Sequence, residues 1–214
     1  MTTDLTIRAV GARTEPHAAV PTLMFDLALE ESTGQFVESV ALRCQIRIEP
    51  HRRRYSPEEE RNLIELFGEG PRWGDTLKPF LWTHASTIVV GFSGSTRAEL
   101  PVTCTYDFEV AASKYLHALA DGEVPLLLLF SGTVFLQGPT GISVSQIPWD
   151  KEASFRLPVR VWREMMDRYF PNSGWLRLHT DTLNLLLRCK ARRAVASWDQ
   201  LMLSLLRDAG ETEQ

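Results

Sequence analysis

The sequence predicts an α+β fold, in which an antiparallel β-sheet or sandwich body with an inserted short helix precedes three C-terminal helices. Alternating apolar and polar residues dominate the N-terminal half, whereas apolar residues recur at helical spacing after Pro158. The strand–helix–strand repeats of a parallel sheet are absent from the pattern. We therefore predict a β-rich body at 1–157 and a helical segment at 158–214, packed on it within a single domain.

Strands with one polar face are predicted near the N-terminus. Residues 23–29 and 40–48 alternate apolar and polar side chains, and the segment 31–34 between them ends in a turn-forming glycine. These two strands are therefore predicted to form a hairpin. Cys44 and Cys104 fall at apolar phases of their strands and are expected to be small buried side chains.

The next elements are predicted from capping residues and periodicity. Ser56 followed by Pro57 and Glu59 is a capping box, and Gly68 ends the helix that it begins. Further strands and helices are predicted at these approximate positions: strands 80–90 and 96–104 joined by a hairpin turn at 91–94, a helix at 108–119, strands 124–137 and 142–147, and helices beginning near 158, 180 and 198.

Composition narrows the class of protein. The 214 residues carry a net charge of −4, so no general positive field would attract nucleic acid. The longest apolar run, 124–130, is far shorter than the ~20 residues of a membrane helix. The N-terminus lacks a secretory pattern, and three distant cysteines without a CxxC spacing favour reduced thiols. A cytoplasmic protein without membrane insertion is expected.

No motif assigns catalytic, cofactor-binding or metal-binding residues. The five histidines include no pair at i, i+4 and none within three residues of a cysteine. The segment 91–95 departs from the nucleophile-elbow spacing and links two predicted strands. His84 is expected to be a buried, hydrogen-bonded strand residue. A non-enzymatic protein is the expectation; the alternative is an enzyme with a dispersed site, in which His84 or Asp107 meets another carboxylate.

Two features are candidate protein contacts. Arg52, Arg53 and Arg54 form either a solvated loop paired with the acidic residues 58–60, or a grip for an acidic partner or nucleic acid. The aromatic segment after Trp149 is either core packing or an interaction groove, because aromatic residues are enriched in interface hot spots. Its candidate contact residues are Trp162, Tyr169, Phe170 and Trp175.

Four strings carry a family resemblance: ALRCQIRIEPHRRRYS at 41–56, RWGDT at 72–76, GEVPLLLLFSGTVF at 122–135 and YFPNSGWL at 169–176. With them the chain resembles an actinobacterial family of unknown function. The resemblance implies an association with nickel–iron uptake hydrogenase gene clusters, and hence hydrogenase subunits or maturation factors as partners. In the order of its elements, the first 135 residues are also similar to the export chaperone SecB, which implies binding of unfolded clients.

Overall fold

The structure is a computed structural model that describes residues 4–105, 107, 110–138, 141–173 and 176–211. The chain forms two compact units, Met1–Trp175 and Leu176–Gln214. The helical segment predicted from residue 158 is divided between them, because its first helix packs on strands of the first unit. No helix in the described part of the chain combines the length and apolarity needed to cross a membrane.

Two antiparallel sheets make up the β-structure of the first unit. The smaller sheet has the order β1-β2-β5, with β1 at Leu5–Thr14, β2 at Thr22–Glu31 and β5 at Ser95–Thr103. The larger sheet has the order β4-β3-β6-β7, and β8 also pairs with β6. Its strands are β3 at Phe36–Ile48, β4 at Phe80–Ser93, β6 at Glu123–Gly138, β7 at Gly141–Gln146 and β8 at Glu152–Pro158. With the helices below, this confirms the α+β prediction.

The helices of the first unit lie in the connections and after the last strand. They are α1 at Pro57–Asn62, α2 at Ile64–Phe67, α3 at Trp73–Thr76, α4 at Ala111–Ala118 and α5 at Val159–Tyr169. The capping box predicted at Ser56 is confirmed, since its hydroxyl accepts from the Glu59 amide while the Glu59 carboxylate accepts from the Ser56 amide. The helix predicted to run to Phe67 is instead divided at Leu63.

The core lies between the two sheets. Alternate side chains of β2 and β3 are buried, and the Phe25 ring of β2 meets Trp82 of β4 and Phe155 of β8 in edge-to-face contacts with centroids 6.4 and 5.6 Å apart. Cys44 and Cys104 are both buried, which confirms the prediction for them. Burial raises the pKa of each of the two thiols to about 12, so both are neutral.

The predicted pairing of two consecutive strands is wrong. β2 pairs with β1 and β5, whereas β3 pairs with β4 and β6, so these neighbours belong to different sheets. The hairpin turn predicted at 91–94 is also wrong, because the chain there leaves β4 of the larger sheet and enters β5 of the smaller sheet. Alternation identifies the buried face of a strand, and both sheets bury an apolar face, so the pattern fits either partner.

The second unit contains α6 at Thr180–Arg192 and α7 at Trp198–Asp208. A capping box of Ser197 and Gln200 begins α7, as predicted for Ser197. Arg193, just after α6, donates to the carboxylate of Asp208 at 2.6 Å, and the ammonium of Lys190 lies 6.0 Å from the centre of the Trp198 ring. These contacts join the two helices within the unit.

Candidate functional site

The three consecutive arginines have different environments. Arg53 forms an ion pair with Glu59 of α1, its Nη2 lying 2.8 Å from Oε1, and only 9% and 5% of the two side chains is exposed. Arg52 pairs with Glu49 at 2.7 Å but keeps 47% of its side chain exposed. Arg54 is exposed. The guanidinium of Arg53 is therefore turned inwards, and only its two neighbours present charge to solvent.

Arg53 belongs to a buried polar network that joins α1, α4 and the start of β6. Its guanidinium also donates to the carbonyl oxygens of Asp121 and Glu123, at 3.2 and 3.4 Å, and lies 5.0 Å from the centre of the Tyr55 ring. The hydroxyl of Tyr55 lies 2.8 Å from that of Tyr115. Burial raises the pKa of both tyrosines, that of Tyr115 to about 12. These neutral phenols and the closed ion pair stabilise the fold.

The aromatic segment is mostly part of the core. Trp162 is 2% exposed, so its ring is not available to a partner in this structure. Tyr169 and Phe170 are half-buried against the core, and the Tyr169 hydroxyl donates to the carbonyl oxygen of Ala18 at 2.6 Å. Trp175 lies outside the described residues. Of the two interpretations of this segment, the burial of Trp162 agrees with core packing.

A different surface gathers exposed apolar side chains. We call it the outer face: the side of the larger sheet that is turned away from the smaller sheet. Val90 of β4, Phe135 of β6 and Val144 of β7 lie in one row across it, because Ser39 of β3 is in register with both Val90 and Phe135, and Phe135 with Val144. Val90 and Val144 are 74% and 61% exposed, and the neighbouring Ile88 and Ile142 are each 67% exposed.

A depression with both polar and apolar lining adjoins this row on the outer face, with a volume of about 670 Å³. Arg43 at the middle of β3 lies between Ser86 of β4 and Ser131 of β6 in register. The lining also includes Gln45, His84 and Trp149, and we call this group the Arg43 basin. Among the described residues that line it, none is acidic, and the described residues include no ion partner for Arg43.

His84 is exposed, so its predicted burial is wrong. The register of β4 places it opposite Gln45, on the outer face. Inward-facing neighbours such as Trp82 occupy the core positions of this strand. Since β4 has apolar residues in both phases, its alternation did not identify the buried phase.

Trp149 is the aromatic residue that this surface presents most fully, with 93% of it exposed. It lies in the short connection between β7 and β8, which is held at both ends. The Ile147 amide donates to the carbonyl of Gly132 at 2.9 Å, and the Phe130 amide donates to the carbonyl of Lys151 at 2.8 Å. β6 pairs with β8 at residues 123–129 and with β7 at residues 133–138, and the connection is bonded to β6 between these two ranges.

The composition of β4, one strand of this surface, is unusual in a way that no short motif describes. β4, Phe80–Ser93, contains no charged residue and no proline over its 14 positions, although it lies at a sheet edge. Edge strands usually carry such residues because they prevent unwanted pairing. No group of three or more His, Cys, Asp or Glu side chains suited to hold a metal occurs within the described ranges.

A family model matches residues 2–214, almost the whole chain. The chain belongs to the DUF6084 family, a family of unknown function. No curated protein matches this family member. The match identifies the family of unknown function and assigns no residue a role.

Similarity of this DUF6084 member to solved structures is distant. It resembles the CARDB domain of the PF1109 protein from Pyrococcus furiosus, solved with di-metal ions, at 11% identity, with 73% of this chain and 93% of that chain covered and a TM-score of 0.27. A putative late embryogenesis abundant protein is 12% identical over 73% and 72% of the two chains, with a TM-score of 0.32.

The β-glucosidase of Kluyveromyces marxianus is 8% identical, with a TM-score of 0.26. The similarity covers 72% of this chain but spans only 15% of the glucosidase chain. Likeness at this level supports no statement about function.

Proposed function

We propose that this protein is a non-enzymatic accessory protein that binds a partner protein through the outer face of its larger sheet. The observation that carries the proposal is that one face of the larger sheet presents exposed aliphatic side chains, an arginine without an ion partner among the described residues, and an adjoining exposed tryptophan. Tryptophan and arginine are the residues that most often dominate binding energy at protein interfaces. Patches of exposed apolar residues with a polar border commonly mark such interfaces.

The chemistry of the Arg43 basin indicates what the partner presents. Arg43 and His84 supply donors, and Ser86 and Ser131 add hydroxyl groups. A carboxylate of the partner could therefore bind over Arg43, while an apolar side chain of the partner packs on Trp149. Glu152, which is in register with Leu129, lies beyond the basin and would disfavour an acidic group there.

The family resemblance supplies the biological context of the proposal. The resemblance implies an association with nickel–iron uptake hydrogenase gene clusters, and we propose on this ground that the partner is a hydrogenase subunit or a maturation factor. A non-enzymatic role is supported by the lining of the basin, where His84 has no acidic neighbour among the described residues. Asp107, the other candidate for a dispersed catalytic site, does not line this cavity.

A SecB-like chaperone is the second candidate function. The exposed aliphatic side chains of β4 and β7 on the outer face are the observation that favours it, because unfolded clients are held mainly through apolar contacts. The two functions differ in their dependence on single side chains. A chaperone would tolerate loss of Arg43 and would suppress aggregation of unrelated unfolded proteins, whereas a specific partner would depend on Arg43 and Trp149.

A capture experiment from a host that expresses the hydrogenase tests the proposal. The tagged chain should recover hydrogenase subunits or maturation factors, and Trp149→Ala and Arg43→Ala should weaken binding of the purified partner about tenfold or more. Arg8→Ala, an exposed arginine of the smaller sheet that pairs with Glu30, is the matched control and should bind normally. Recovery of neither class of protein would reject the hydrogenase context. Equal binding by all three variants would reject the site.

A further inference from the structure

The sheet edges of this protein differ in how they are protected. β5 carries Arg97, Glu99 and Pro101, and β8 carries Glu152 and Arg156. β1 has two arginines and a register shift after Ala9, and β7 has only six residues. Charges, prolines, bulges and short length are the usual means of preventing edge-to-edge pairing. Four edges are therefore protected along their length, whereas the one such feature of β4 within the described residues is a register shift at Trp82, and residues 83–93 carry no charge, proline or register shift.

The free edge of β4 is long and accessible. β4 pairs with β3 from Phe80 opposite Ile48 to Ser93 opposite Phe36, with a register shift at Trp82 near its start. Within the described ranges no strand pairs with its other side. An open cavity of about 740 Å³ lies beside residues 87–90 of β4, and its lining also includes Met24 and Asp26 of β2 and residues 97–99 and Pro101 of β5. Added strands lie about 4.8 Å from their neighbours, so a further strand has room on this edge.

A second copy of β4 is the strand whose chemistry suits this edge. Antiparallel pairing about a twofold axis at Ile88 places Ile88 opposite its own counterpart and Val90 opposite Ser86 of the other copy. No like charges meet, because the strand is uncharged, and β-branched pairs stabilise antiparallel sheets. An interface between identical surfaces also closes on itself, so both free edges are consumed and no open-ended assembly follows.

We propose that β4 pairs antiparallel with β4 of a second copy, which joins two five-stranded sheets into one sheet of ten strands. The inference goes beyond the proposed function and does not depend on it, since it concerns the purified chain alone. Ile88 and Val90 of both copies then form a continuous apolar strip on the outer face.

The oligomeric state of the purified full chain tests the proposal. Size-exclusion chromatography with light scattering, over a range of micromolar concentrations, should give twice the chain mass. Ile88→Lys and Val90→Lys change side chains that already point to solvent, so both variants should fold, as circular dichroism can verify. Each variant places two lysines at the interface, one from each copy, and should raise the dimer dissociation constant by about tenfold or more.

Val144→Lys is the matched control. It introduces the same charge at a similarly exposed valine of the outer face, but on β7 at the opposite side of the sheet. This variant should remain dimeric. A monomeric wild-type chain at every concentration would overturn the proposal, as would a dimer that survives both β4 substitutions or one that only Val144→Lys disrupts. A failed hydrogenase capture leaves these outcomes unchanged.

Discussion

Replacement of Arg53 is expected to destabilise the protein far more than replacement of Arg52. The Glu59 carboxylate, 5% exposed, accepts from Arg53 at 2.8 Å and from the amides of Ala120 and Ser56 at 2.9 and 3.0 Å. Arg53→Ala leaves this charge buried with neutral donors only. Removal of one member of a buried ion pair typically lowers the free energy of unfolding by about 3–5 kcal/mol. Arg52 is half exposed in its pair with Glu49, and Arg52→Ala should cost about 1 kcal/mol or less.

Urea unfolding followed by far-UV circular dichroism at neutral pH measures both free energies. A double-mutant cycle with Glu59→Gln isolates the pair, because the double variant should be less destabilised than the sum of the two single variants. Interactions of this kind give coupling energies of about 0.5–3 kcal/mol. The reasoning is refuted if Arg53→Ala unfolds within about 1 kcal/mol of the wild type, or if the two arginine variants are equally stable.

Three further predictions concern backbone, pH and thiols. Gly132 has a φ of +139°, and a Cβ added there would lie 2.1 Å from a carbonyl oxygen of β3. Gly141 has a similar φ of +130° but open space around it, so Gly132→Ala should have a much lower melting temperature than Gly141→Ala. Equal melting temperatures would contradict this. Burial and the charge of Arg163 lower the pKa of His117 to about 4, so the unfolded chain binds this proton at a higher pH than the folded chain. The stability that the neutral imidazole contributes is therefore complete above about pH 6.5 and is lost as the pH falls towards 4. His117→Asn should reduce the pH dependence of the unfolding free energy over that window. An unchanged pH dependence would count against this prediction. Dithionitrobenzoate should label Cys189 rapidly in the folded chain and the two buried cysteines only after unfolding, so rapid labelling of all three would exclude the described burial.

Local features of the fold were predictable because their causes are local. The capping box at Ser56 needs only three neighbouring residues, and the burial of Cys44 follows from its phase in an alternating strand. The pairing of strands was not predictable in the same way. β3 meets β6 across some ninety residues of sequence, for example at Cys44 and Phe130, and no short-range pattern encodes that partner.

The candidate site was less predictable than the fold. Arg52 and Arg53 are adjacent and chemically identical, yet Arg53 is the one that meets Glu59 and the distant carbonyl oxygens of 121 and 123. Trp149 was identified as the start of an aromatic segment, but its exposure depends on the two strands that end beside it. A site composed of side chains on separate strands becomes visible only when their register is known.

The tethering of the Trp149 connection has a consequence for the kinetics and thermodynamics of association. A side chain on a free loop loses conformational entropy when a partner immobilises it, which weakens binding. Here the amide hydrogen bonds of Ile147 and Phe130 have already restricted the backbone on either side of the ring. A partner would therefore meet an indole on a preorganised backbone, retain more of the contact energy as affinity, and dissociate more slowly than from a mobile loop.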